Sequence, residues 1–385
     1  MVDKSRAKKG RVGGSGGSKN GRGIIDMWVA DPAFKTDRKI IEAFGYAVRG
    51  GCTHYFPAPG FDANVLQKAV AKYYRRERNC KVDPLTEIVP THGAQEGLSL
   101  SVQAGARPGA EVIVPEPTYN VFIEKLEGFG VRPVFVPLLE KEHWRIDFDS
   151  VKSVITERTR LIFICNPNNP TGTLCTRKDM EALAEILAEN PEVSVVLDEC
   201  YSRILYGGAE HHSLLGDADL MDQVYVVNSF SKTYAMTGWR LGYVVSSKKN
   251  ADRIKRISFE YNGGVAYPIQ YAGAVALEKC SGFVKKMRAE LGIRRDAMLD
   301  GLAELKDVAF EKPRGGFEVF ADFSPYSRDS ESFVEAIENE ARVKTMPGRK
   351  YGPSGEGHVR LVFCSNAPVK IREGTSRIGA WLESR

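Results

Sequence analysis

Lys232 stands in the polar cluster of this sequence that points most directly to chemistry. It follows an apolar stretch, has serine hydroxyls beside it, and is followed by Arg240 eight residues on. A lysine amine forms Schiff bases with carbonyl compounds once it is desolvated, and an arginine binds phosphate through two parallel hydrogen bonds. A solvated loop lysine is the alternative interpretation of this cluster taken alone.

Three further clusters each offer one kind of group to a ligand. Gly93, Ala94 and Gln95 open a predicted helix, where free backbone N–H groups and the helix dipole favour an anion. Residues 166–172 (NPNNPTG) hold the Asn169 amide on a rigid backbone, although surface turns have the same composition. Asp198 ends a buried stretch and needs a cationic or donor partner, with Tyr201 three residues on. That aspartate could also simply cap the next helix.

Alternating strands and helices are predicted to position these clusters. Between residues 87 and 245, short β-branched segments alternate with helical patterns, which is typical of an α/β fold with a mostly parallel sheet sandwiched by helices. Ligands of such sheets bind beyond the carboxyl ends of the strands, and all four clusters follow predicted strands. A long helix predicted near residues 272–305 leads into a separate α+β portion. We therefore predict a large domain at 46–285 and a smaller α+β domain built from 24–45 and 286–385.

The net positive charge of the chain comes from residues 1–23. The net charge is +5, but residues 1–23 carry seven Lys or Arg against one Asp, which leaves −1 for the remainder. That basic Gly/Ser-rich tail is predicted to be disordered, without the apolar region of a secretory signal, and no nucleic-acid partner is predicted. No apolar run approaches the roughly 20 residues that span a bilayer, so no membrane association is predicted either.

The cysteines and histidines indicate the cellular compartment of the protein and whether it is expected to bind a metal. The seven cysteines are dispersed without a C-x-x-C pair, which indicates reduced thiols in a cytoplasm. No Cys/His ligand cluster appears, so no metal is predicted. The pair His211-His212 follows two glycines and is expected in a solvated loop.

Taken together, the clusters resemble the signature motifs of the class I and II aminotransferases. The motifs NPTG at 169–172, Asp198-x-x-Tyr201, and Ser229-x-x-Lys232 with Arg240 match that family in order and spacing, over about residues 26–370. The resemblance implies the aspartate-aminotransferase-like fold of pyridoxal-phosphate enzymes. The sequence has no G-x-G-x-x-G after a strand and no G-x-x-x-x-G-K-[ST], which argues against dinucleotide-binding dehydrogenases and P-loop proteins.

The resemblance implies a role for each matching residue. Lys232 would hold pyridoxal 5'-phosphate as a Schiff base and, once freed, carry the proton between the substrate α-carbon and the cofactor. Asp198 would pair with the pyridinium nitrogen and keep the ring an electron sink, while Tyr201 and Asn169 would hydrogen-bond the ring hydroxyl. Tyr119 would stack on the ring, the alternative being a core tyrosine. The residues implied to bind the phosphate are Gly93, Ala94, Gln95, Ser229, Ser231 and Arg240.

The resemblance also implies a shared active site and a substrate-binding arginine. Tyr55 would reach the phosphate of the neighbouring subunit, which implies a homodimer. Arg360 would grip the substrate α-carboxylate, with Asn169 nearby and with Ala30 in place of a family glycine; the alternative for Arg360 is a surface strand. Residues 261–270 contain no arginine for a second carboxylate, so an aspartate substrate is not favoured.

We therefore predict transfer of an amino group from an L-amino acid to a 2-oxo acid by a cytoplasmic homodimer. The segment Trp28-Val29-Ala30-Asp31 also resembles the related C–S β-lyases, so β-elimination is an alternative. A non-catalytic protein that binds the cofactor is a second alternative, against which the presence of both Lys232 and Arg360 argues. The sequence does not indicate which amino acid is used.

Overall fold

Residues 23–385 are described by the computed structural model of the chain. The tail predicted over residues 1–23 therefore lies, apart from Gly23, outside the described residues. Within residues 23–385 the strands are β1 (Ile25–Asp26), β2 (Ile88–Thr91), β3 (Glu111–Glu116), β4 (Arg132–Pro137), β5 (Thr159–Cys165), β6 (Ser194–Asp198), β7 (Val224–Ser229), β8 (Gly242–Val245), β9 (Ala309–Phe310), β10 (Glu318–Asp322), β11 (Val343–Lys344), β12 (Met346–Pro347) and β13 (His358–Val362). The α-helices there are α1 (Arg38–Arg49), α2 (Val65–Arg78), α3 (Ala94–Gly105), α4 (Asn120–Gly128), α5 (Phe148–Ser153), α6 (Arg177–Glu189), α7 (Phe230–Thr233), α8 (Lys248–Asn262), α9 (Tyr267–Lys279), α10 (Ser281–Ala303), α11 (Ser330–Ala336) and α12 (Pro368–Glu383).

The large sheet has seven strands in the order β2-β8-β7-β6-β5-β3-β4. Strand β8 runs antiparallel to both of its neighbours, and every other pair is parallel. The predicted α/β fold with a mostly parallel sheet is thereby confirmed. Cys165 pairs with Asp198, and Asp198 pairs with Val227, so β5, β6 and β7 end side by side. This register brings the clusters that follow those strands to one edge of the sheet.

A smaller antiparallel sheet forms in the C-terminal part of the chain. Its order is β12-β13-β10-β9, and its apolar face shares a core with α10 and α12. The strand β1 pairs with β11, whereas Ile40 and Ala43 of α1 pack into the core of the large sheet. The division into domains at 46–285 and at 24–45 with 286–385 stays a prediction.

The prediction of one long helix near residues 272–305 is wrong, because this segment forms two helices. Helix α9 ends and α10 begins around Cys280, which leaves the helical backbone with φ −113° and ψ 23°. The apolar periodicity is helical on both sides of that residue, so it does not reveal the break. None of the helices within residues 23–385 combines the length and the apolar composition needed to cross a membrane.

The expectation of a solvated loop at His211 is also wrong. The His211 side chain is fully buried, with its Nε2 3.1 Å from the Asn166 carbonyl oxygen and 3.9 Å from Oε2 of Glu199. Burial lowers the pKa of His211 to about 3 and raises the pKa of Glu199 to about 7. The loop folds back against the end of β5, a tertiary contact that the local pattern of two glycines and two histidines does not contain.

Candidate active site

A cavity of about 360 Å³ lies beyond the carboxyl ends of β5, β6 and β7. Its walls come from both parts of the chain, since β13 contributes Arg360 and the segment after β1 contributes residues 28–30. Most of the predicted site residues line it. They are Ala30, Ala94, Gln95, Tyr119, Asn169, Asp198, Tyr201, Ser229, Ser231, Lys232, Arg240 and Arg360.

Lys232 lies one turn beyond the end of β7. The Ser229 side chain caps the short helix α7 by accepting a hydrogen bond from the Ser231 N–H at 3.1 Å, which fixes the start of the turn that carries the lysine. The Lys232 amine donates to the Ala30 carbonyl oxygen at 2.5 Å. The lysine is thus partly buried and points across the cavity to the segment that follows β1.

The start of helix α3 and Arg240 form an anion-binding corner. Gly93 has φ +77°, and a Cβ there would lie 2.5 Å from Nη2 of Arg240, so only glycine admits the guanidinium against the backbone. The hydroxyls of Ser229 and Ser231 lie 2.9 Å apart at the same corner. Free N–H groups of a twelve-residue helix, an arginine and two hydroxyls suit a phosphate dianion.

Asp198 is a buried carboxylate at the end of β6. Its Oδ1 accepts a hydrogen bond from the Cys200 N–H at 3.0 Å, and no lysine or arginine within residues 23–385 forms an ion pair with it. Burial raises the pKa of Asp198, and the hydrogen bonds of Cys200 and the charge of Lys232 oppose that rise only in part. A protonated ring nitrogen is a partner of the kind that such a carboxylate lacks.

Tyr119 and Tyr201 both line the cavity but form different hydrogen bonds. Gln95 donates to the Tyr119 hydroxyl oxygen at 3.2 Å, and burial raises the pKa of Tyr119 to about 12. The Tyr201 hydroxyl donates to Oε1 of Glu318 at 2.6 Å. Sequence reasoning missed Glu318; its charge inside the apolar run Phe317–Phe320 is the signal that could have found it.

Arg360 is buried and lines the same cavity as the anion-binding corner. Its Nη2 donates to the Trp28 carbonyl oxygen at 2.5 Å, and its Nη1 lies 3.5 Å from Oδ1 of Asn169. Its Nε is buried and has no hydrogen-bond partner among the described residues. A guanidinium that keeps donor capacity toward a cavity suits a carboxylate ligand, so the alternative of a surface strand does not hold.

Two predicted residues do not line the cavity with their side chains. Gly93 belongs to the anion-binding corner through its backbone, as described above. Tyr55 is 95% exposed and does not reach the cavity of its own chain. Residues that sequence reasoning did not assign also line the cavity, and they include Trp28, Met346 and Tyr351. Trp28 belongs to the segment that resembles the C–S β-lyases, whereas Met346 and Tyr351 stand in no recognisable motif.

A large, mostly parallel sheet has a lysine, a carboxylate and an anion site at its edge, and a smaller sheet adds an arginine to the same cavity; this arrangement fits an aminotransferase. The chain belongs to the family of class I and II aminotransferases, whose model matches residues 22–378. It is therefore an aminotransferase, and the family implies a pyridoxal phosphate cofactor with amino acid and keto acid substrates.

Individual relatives resemble the chain over nearly its whole length. Aspartate aminotransferase of Pyrococcus abyssi is 32% identical over 94% of this chain and 92% of the relative. Arginine–pyruvate transaminase of Pseudomonas aeruginosa is 33% identical over 93% and 90%. The solved aromatic aminotransferase of Pyrococcus horikoshii has a TM-score of 0.89 at 32% identity, covering 94% of this chain and 96% of that one. These relatives differ in their named substrates at similar identity, so likeness alone does not choose the amino acid.

Proposed function

We propose that the chain moves the amino group of an L-amino acid to a 2-oxo acid, with pyridoxal 5'-phosphate held covalently on Lys232. The observation that carries the proposal is the placement of Lys232, Asp198 and Arg360 around one cavity. An amine, a buried carboxylate and a buried guanidinium are the groups that must bind the carbonyl, the ring nitrogen and the substrate carboxylate.

The fit of the cofactor rests on the chemistry of the groups present. Pyridoxal phosphate, when bound, supplies an electron sink conjugated to the substrate α-carbon. Asp198 would keep the ring nitrogen protonated, because a cationic ring nitrogen would stabilise its buried carboxylate. Arg240, the two serines and the start of α3 would bind the phosphate, Tyr119 would pack on the ring, and Asn169 and Tyr201 would hydrogen-bond the ring hydroxyl.

The substrate is held between the cofactor and Arg360. Arg360 would bind the α-carboxylate and so orient the α-carbon toward the Lys232 amine, which would take up and return the proton at that carbon. The carbonyl oxygen of Ala30, which accepts a hydrogen bond from Lys232, positions the amine when it is free. Among the described residues that line the cavity, no lysine or arginine remains for a side-chain carboxylate of the substrate.

A panel of single amino acids tests the reaction type. Each L-amino acid is added to the holoenzyme without an acceptor, and the absorbance of the bound cofactor and the organic product are measured. Transamination is expected to give one 2-oxo acid per site and then stop until 2-oxoglutarate is added. Continuous pyruvate from cysteine or cystathionine without an acceptor would instead favour a C–S β-lyase. An unchanged cofactor spectrum with every amino acid would favour the non-catalytic alternative.

A homodimer with shared active sites accounts for the exposure of Tyr55. Tyr55 and Phe56 are 95% and 82% exposed, side by side on the loop between α1 and α2. Two adjacent aromatic side chains in water are typical of a surface that a partner covers, and the proposed partner is a second copy that receives Tyr55 at its phosphate. A cytoplasmic location is proposed with it, supported by seven cysteines that are all free thiols.

Replacing Tyr55 by phenylalanine is expected to weaken pyridoxal phosphate binding about 10-fold, because one hydrogen bond to a charged phosphate is worth about 1.5 kcal/mol or more. Equilibrium binding to the apoenzyme measures the effect, with light scattering to record the mass. The matched control is Tyr326→Phe, since the Tyr326 hydroxyl donates to the Lys306 carbonyl oxygen and neither residue lines the cavity. A monomer in solution, or equal affinity in both variants, would contradict the shared site.

A further inference from the structure

Glu318 is a buried carboxylate that contacts the wall of the cavity. It opens β10 and has no exposed surface. Its Oε1 accepts a hydrogen bond from the Tyr201 hydroxyl at 2.6 Å, and its Oε2 accepts one from the Phe317 N–H at 2.9 Å. Both oxygens act as acceptors, as those of an ionised carboxylate do. The Phe317 N–H anchors the carboxylate independently of the tyrosine.

The backbone beside Glu318 is shaped to admit this carboxylate. Gly316 has φ +74°, and a Cβ there would lie 2.8 Å from Oε2 of Glu318 and 3.5 Å from the Tyr201 ring. A side chain at residue 316 would therefore be strained and would also displace the carboxylate. The Tyr201 ring packs edge-on against Phe317 with their centroids 4.9 Å apart, which also holds the ring in place.

The hydrogen bond to Glu318 decides what Tyr201 can offer to a ligand. A phenol has a single proton, and in this structure Tyr201 donates it to the carboxylate. Burial first, and then the charge of Glu318, raise the pKa of Tyr201 well above its ordinary value, so the phenol keeps that proton. Toward the cavity Tyr201 therefore presents only its oxygen lone pairs.

We propose that Glu318 is a positioning residue that makes Tyr201 an acceptor, not a donor, toward the ring hydroxyl of pyridoxal phosphate. This inference rests on the proposed function and extends it to the protonation of the Lys232–cofactor linkage. A donor would stabilise the deprotonated ring oxygen, whereas an acceptor backed by a negative charge favours the protonated form. Glu318 thus raises the pH at which the linkage loses its proton.

Other titratable groups surround the pair but do not take over the role of Glu318. Arg360 is the cation that faces both side chains, yet its guanidinium donates to the Trp28 carbonyl oxygen and forms no ion pair with Glu318 among the described residues. The remaining groups that face the pair or lie near it are Cys165, Tyr206, Lys232, Tyr351 and Cys364. None of them accepts the Tyr201 proton.

The test is a pH titration of the visible absorbance of the bound cofactor. In Glu318→Gln the negative charge is lost, and the Tyr201 hydroxyl becomes free to donate its hydrogen bond to the cofactor. The midpoint of the absorbance titration is therefore expected to fall by about one pH unit, a tenfold change in proton affinity. In a Tyr201→Phe background the same substitution is expected to move the midpoint by less than half as much. An unchanged midpoint in Glu318→Gln, or equal shifts in both backgrounds, would overturn the proposal.

Controls separate this inference from the proposed function and from misfolding. Glu116→Gln removes another buried carboxylate, which accepts from Ser354 outside the cavity, and should leave the midpoint unchanged. If the Glu318→Gln variant does not fold, Glu318→Asp replaces it, because the shorter side chain moves the carboxylate away from Tyr201 by one methylene. The midpoint of the absorbance titration should again fall, and an unchanged midpoint in Glu318→Asp would overturn the proposal. A wild-type protein without any titrating cofactor band would contradict the proposed function itself.

Discussion

Replacing Lys232 by alanine is expected to lower kcat for transamination by at least about 10⁴-fold, the upper range of general acid–base catalysis, and to prevent covalent attachment of the cofactor. The amine is proposed to do two tasks, forming the bond to the cofactor carbonyl and moving the α-proton. Alanine does neither, while the anion-binding corner around Arg240 stays in place. Pyridoxal phosphate should therefore still bind, without the covalent link.

Borohydride reduction followed by peptide mass spectrometry measures the attachment, and single-turnover kinetics measure the reaction. The matched control is Lys125→Ala on α4, since that lysine donates to Ser99 outside the cavity. It should keep the label on Lys232 and the turnover of the wild type. Added methylamine should restore part of the proton transfer in the Lys232 variant. Wild-type turnover in Lys232→Ala, or the label on another lysine, would show that the assignment is wrong.

The sheet and the placement of the clusters are predictable from the sequence for a physical reason. Each cluster directly follows an apolar, β-branched segment, and parallel strands bring their carboxyl ends to one edge. The pairing of Cys165 with Asp198 and of Asp198 with Val227 realises that expectation. The local sequence pattern and the sheet topology are enough to predict where these functional residues lie, because each is within a few positions of the end of a strand.

The contacts that set the properties of the site are not local and could not be predicted. Tyr201 and Glu318 are 117 residues apart along the chain, and Arg360 and Trp28 are 332 apart. The burial of His211 against Asn166 likewise depends on a loop returning to the sheet. Motifs identify which side chains a reaction needs, whereas the donor or acceptor state of each depends on partners that only the tertiary fold supplies.

Replacing Arg360 by glutamine is expected to lower kcat/KM for amino acids by about 10³-fold. The guanidinium is proposed to form two charge-assisted hydrogen bonds with the α-carboxylate, each worth about 1.5–3 kcal/mol, which together correspond to about 10²–10⁴-fold. Arg360→Lys keeps the charge but not the planar pair of donors, so its loss should be intermediate. Steady-state kinetics with the best amino acid of the panel measure all three proteins.

The arginine also supports the fold, because it donates to the Trp28 carbonyl oxygen and lies near Asn169. A matched pair of substrates separates the two roles: the amino acid and the amine that remains when its carboxylate is removed. If Arg360 binds the carboxylate, the substitution reduces turnover of the amino acid and leaves the slow turnover of the amine nearly unchanged. Equal losses with both substrates would mean that the arginine acts by holding the Trp28 segment in place, since that structural role does not depend on whether the substrate has a carboxylate.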